Sequence, residues 1–118
     1  MNKLLLALLT VAAVPAVAAD YKCTDKGRVE KKGAALFTFK QSATEIVIEK
    51  GGSMVGKAVK RGTKWHVEIG GKTEATFENG NIDRRGARWT TMSHSLKKFD
   101  CKLEVATTLW VLEANDVF

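Results

Sequence analysis

The sequence predicts an all-β fold, a small antiparallel β-barrel of seven or eight strands closed by one disulfide. Three observations carry that expectation. Apolar and polar residues alternate with a period of two in several short runs, Gly-Gly and Asn-Gly pairs punctuate those runs, and one pair of cysteines, Cys23 and Cys101, brackets the alternating region. A sheet closed on itself leaves no strand edge exposed, which suits a small domain built from short strands.

Residues 1–19 stand apart by composition. Met1-Asn2-Lys3 gives a short positive start, an apolar stretch follows from Leu4 to Ala19, and small residues surround Ala18 and Ala19. This pattern predicts a secretory signal peptide. The apolar run is only about 16 residues against the roughly 20 that a spanning helix needs, so no transmembrane anchor is expected in the mature chain. The expected organisation is a signal peptide over 1–19 and a single domain over 20–118 with a C-terminal tail from about 106, in a periplasmic or secreted protein.

From Asp20 onward the elements can be taken in order. Asp20 to Gly33 is polar, with strand character only in "DYKC", while "ALFTFK" places Ala35, Phe37 and Phe39 on one face. "TEIVIEK" is a β-branched run that ends at Gly51-Gly52, and "SMVGKAVKRG" over 53–62 reads as a loop holding Lys57, Lys60 and Arg61 around Gly56 and Ala58. "TKWHVEI" sets Trp65, Val67 and Ile69 against Lys64, His66 and Glu68. Gly70-Gly71 then gives a hairpin turn, "KTEATFE" sets Thr73, Ala75 and Phe77 on one side, and Asn79-Gly80 turns the chain again. "IDRRGARWTTM" is interrupted by Gly86, and "KFDCKLEV" alternates Phe99, Cys101, Leu103 and Val105 with charged neighbours. The apolar succession Leu109, Trp110, Val111 and Leu112 admits an extra strand, a helical turn or a partner-binding tail.

Removing Lys3 leaves 18 Lys and Arg against 13 Asp and Glu, a mature net charge of +5. That balance favours anionic partners without saying anything about fold. In an exported chain, two cysteines this far apart are read as a structural disulfide. It closes a loop of about 80 residues and contributes roughly 4 kcal/mol in the chain-entropy model.

No catalytic constellation is present. His66 and His94 lack a motif that names a nucleophile or metal partner, and on a strand Ser93, His94 and Ser95 would alternate faces and fail to converge. The expectation is a non-enzyme without metal or cofactor. Arg84, Arg85 and Arg88 beside Trp89 combine guanidinium forks with an aromatic ring, a mixture that holds anions and stacks on sugars or bases. The alternative is that Trp89 belongs to the core and the arginines to a solvated turn.

Tyr21-Lys22-Cys23, the closing Cys101-Lys102-Leu103, Gly56 and the run Glu74-Ala75-Thr76 together resemble the MliC/PliC-type inhibitors of c-type lysozyme. The resemblance implies an eight-stranded antiparallel barrel whose exposed loop enters the lysozyme cleft, where a Ser and a basic residue meet the catalytic carboxylates. Gly56 stands at the family's loop Gly, but Val55 and Val59 occupy its Ser and Tyr positions, and Ile69 lies near its later Lys position. Ser53, Gly56, Lys57, Lys60 and Arg61 are then the candidate contacts, although a basic domain meets long-range repulsion from a cationic lysozyme.

Three functions follow as expectations. The first is a small exported binding protein that inhibits a c-type lysozyme through residues 53–62. The second is a basic envelope-associated domain whose Arg84, Arg85, Arg88 and Trp89 bind an anionic glycan, lipid headgroup or nucleic acid. The third is a structural envelope protein that docks through its C-terminal tail.

Overall fold

A computed structural model describes residues 19–118; the signal-peptide expectation lies, apart from Ala19, outside the described residues. Nine strands follow one another: β1 Tyr21–Cys23, β2 Arg28–Lys31, β3 Ala34–Gln41, β4 Glu45–Lys50, β5 Ser53–Arg61, β6 Lys64–Ile69, β7 Lys72–Glu78, β8 Asn81–Arg84 and β9 Ala87–Thr91. A short helix α1 (Met92–Ser95), a two-residue strand β10 (Phe99–Asp100) and a longer helix α2 (Leu103–Ala114) complete the chain. Strands β1 to β9 pair in sequence order as an antiparallel meander, and β10 pairs in parallel with β1 at the far edge.

Alternation sets the faces of this sheet. Trp65 and Val67 of β6 are buried and paired with Phe77 and Ala75 of β7, while His66 pairs with Thr76 on the opposite face. Two-residue turns connect these strands, as at Arg85 and Gly86, whose φ angles of 54° and 79° match the left-handed pair that a tight hairpin needs. The inward face collects Val29, Phe37, Ile46, Ile48, Ala58, Phe77 and Ile82.

Helix α2 fills the hollow of that face, lying against β4, β5, β6 and β7 on one side and α1 on the other. It is buried almost all round: Val105, Leu109, Val111 and Leu112 are fully shielded, together with Thr107 and Thr108. The two threonines donate to the carbonyls of Leu103 and Glu104 at 2.8 Å each, so their hydroxyls enter the core satisfied. Ser95 of α1 donates to the Met92 carbonyl at 2.6 Å and lies 3.4 Å from the Thr107 hydroxyl. Lys98 and Glu113 form an ion pair of 2.9 Å between the α1–β10 connection and the end of α2.

The mostly-β fold and the Cys23–Cys101 disulfide match the sequence expectation, and the closed barrel does not. The sheet has ten strands and stays open, because the chain leaves edge strand β9 through α1 and joins the other edge as β10. A core filled by a helix replaces a core filled by two facing halves of a barrel. The tail expected from about 106 belongs to α2, which begins at Leu103 and forms the centre of the core. "KFDCKLEV" is likewise strand only at Phe99 and Asp100, and Met92–Ser95 is helical and not extended.

Candidate functional site

The stretch 53–62 is not a loop. Ser53 to Arg61 form one strand, β5, hydrogen-bonded to β4 and β6. Eight extended steps separate Ser53 from Arg61, about 26 Å, so one small ligand group cannot meet both. Gly56 faces inward, under Leu112 of α2, while Lys57 is half-buried on the outward face opposite Glu68. Arg61 reaches diagonally to donate to Glu68 at 3.0 Å, and Lys60 is exposed at the end of the strand beside Trp65. The five candidate contacts therefore divide between two faces and two ends.

The arginine cluster divides too, but one half gains new partners. Arg88 faces outward and donates from Nε to Asp83 at 3.0 Å, and Arg85 occupies the exposed β8–β9 turn. Arg84 turns the other way: its guanidinium carbon stands 4.6 Å from the centroid of the Trp89 ring. Trp89 meets Trp110 of α2 edge-on at 4.7 Å between centroids, and His94 of α1 meets the same Trp110 at 5.7 Å and 81°. Arg84, Trp89 and Trp110 are half-buried and His94 is exposed.

Four separate elements, β8, β9, α1 and α2, thus converge on one aromatic and cationic surface beside an open sheet edge. Its guanidinium presents planar donors to an oxyanion, and its indole faces offer apolar area with a polar N–H. The aromatic quadrupole also favours the cation already present. Trp110 and His94 were not among the candidates from sequence. The signal for Trp110 was a tryptophan interrupting an otherwise aliphatic run.

Two further clefts lie away from this surface. The larger, about 670 Å³, surrounds the disulfide and is walled by Phe39 and by acids and bases in balance, Asp25 and Asp100 against Lys26 and Lys102. The smaller, about 350 Å³, lies on the outward face at β6 to β8 beside Arg85. Among the described residues no group of His, Cys, Asp and Glu assembles into a metal site, and no helix is long and apolar enough to cross a membrane. No family model matches this chain, and comparisons with curated proteins and with solved structures return no match.

Proposed function

We propose that this domain is an exported, non-catalytic binding module for an anionic glycan of the cell envelope, held at Arg84, Trp89, His94 and Trp110. The observation that carries the reading is the half-buried Trp89–Trp110 pair with Arg84 over one ring. Fully packed tryptophans would serve the core alone, whereas these two pack against the core and stay partly exposed. A sugar ring supplies C–H faces for indole stacking, and a uronate or similar acidic group supplies the anion for Arg84.

Nucleic acid fits this surface less well. A phosphate backbone is tracked by cations repeated along a groove, and here Arg88 is turned outward onto Asp83. One guanidinium beside two indoles suits one acidic group beside one or two sugar rings. For lysozyme inhibition, the contacts implied by the resemblance would have to come from the exposed ends of β5, since no projecting loop exists there.

Calorimetric titration of the oxidised domain with a tetragalacturonate, and with a neutral oligosaccharide of equal length, tests the proposal. Saturable binding of the acidic sugar alone supports it. Equal binding of both, or of neither, removes it.

A further inference from the structure

The disulfide that fastens β1 to the start of α2 lies beside solvent. Cys23 ends β1 and Cys101 follows β10, both are half-buried, and both line the larger cleft of about 670 Å³. Their near neighbours Asp25, Lys26, Asp100 and Lys102 line the same cleft and are exposed. One wall is fixed in place: Phe39 of β3 donates to the Gly27 carbonyl at 2.8 Å, and a Cβ on Gly27 would stand 2.7 Å from the Phe39 carbonyl oxygen. The Thr24–Gly27 turn is thereby held against β3, so the cleft belongs to the folded state.

The seam that the disulfide crosses has other fastenings. Tyr21 and Phe99 pair across β1 and β10, the Tyr21 N–H donates to the Lys98 carbonyl at 3.0 Å, and the two rings stack at 4.7 Å between centroids. The Phe118 ring stands edge-on to both. Cutting the S–S bond therefore leaves β1, β10 and α2 packed, with the two sulfurs held close enough to rejoin. We propose that Cys23–Cys101 is a thiol–disulfide exchange site of the folded domain, reached by a dithiol reductant through this cleft. A reductant thiolate attacks one sulfur and breaks the S–S bond, giving a mixed disulfide and a cysteine thiolate that takes a proton from water. The reductant's second thiol then displaces the other cysteine, so two electrons pass, both cysteines end as thiols and the reductant ends as its own disulfide. Access to the bond, and not unfolding of the chain, sets the rate, and the domain's stability follows the redox state of its surroundings.

The test is reduction by dithiothreitol at pH 8 without denaturant, followed by timed alkylation and mass measurement. Gly56→Ala and Ile82→Val alter core positions that do not line the cleft, and both raise the unfolded population above that of the native sequence. A route through global unfolding would speed up in step with that population, whereas the folded route should leave the three rates within about twofold of one another. The reduced domain should keep its near-ultraviolet circular dichroism spectrum, melt cooperatively at a lower temperature, and regain the disulfide in oxidised dithiothreitol. No reduction, rates that rise with the unfolded population measured in urea, or loss of the near-ultraviolet spectrum on reduction overturns the proposal.

Discussion

Leu112 of the core helix lies directly over Gly56 of β5: a Cβ built on Gly56 would stand 2.5 Å from Leu112 Cδ2 and 3.0 Å from Cδ1. The glycine is there to let helix and sheet approach, not to bend a loop. Gly56→Ala should therefore destabilise the domain by about 1–3 kcal/mol through overpacking. Denaturant unfolding checks this, and the Ala should cost less when Leu112→Ala has already opened the site.

The helix itself supplies the second prediction. Deleting residues 103–118 removes Val105, Leu109, Val111 and Leu112 from the centre of the core, along with Phe118, whose ring lies 4.5 Å from that of Phe37. The truncated chain should lose its cooperative thermal transition, followed by near-ultraviolet circular dichroism. A tail used only for docking would leave that transition intact.

These two residues also show where the sequence was readable. Strands β6 and β7 were legible because Trp65, Val67, Ala75 and Phe77 alternate with polar neighbours on a half-exposed sheet. Helix α2 was not, because a helix buried almost all round carries no clear amphipathic stripe, and Val105, Thr107, Thr108 and Val111 resemble a strand by propensity. Gly56 looked like a loop residue because its reason, Leu112, lies on another element. Arg84 and Trp89 were visible together because one hairpin joins them, while Trp110 and His94 reach them only through the tertiary fold.

The disulfide fastens β1 to the β10–α2 junction across a sequence separation of 78 residues, with Cα atoms 4.9 Å apart. Replacing both cysteines with serine should lower stability by about 2–4 kcal/mol. Urea unfolding of the oxidised domain, the reduced domain and the double variant should place the last two together, well below the first.

Lys98 offers a test with a defined sign. The hydrogen bond with Glu113 raises its pKa above the ordinary 10.5, with burial opposing and the Glu113 charge adding to the rise. A raised folded pKa stabilises the charged form, so the contribution is fully present below pH 10.5 and fades as pH climbs through the folded value. Lys98 is 40% exposed, which limits the pair to about 0.2–1 kcal/mol. Lys98→Met should show that deficit at pH 7, and the two proteins should converge in strongly alkaline buffer.

The ligand reading depends on Arg84 and the two tryptophans acting as one surface. The most direct measurement is a tetragalacturonate titration followed by tryptophan emission, comparing the native domain with Arg84→Gln at two salt concentrations. The predicted result is a saturable change that weakens with salt, as a solvent-accessible ion pair does, and a loss of at least about fivefold in affinity for Arg84→Gln at low salt. Unchanged affinity in Arg84→Gln, or a response shared by a neutral oligosaccharide, would contradict the account.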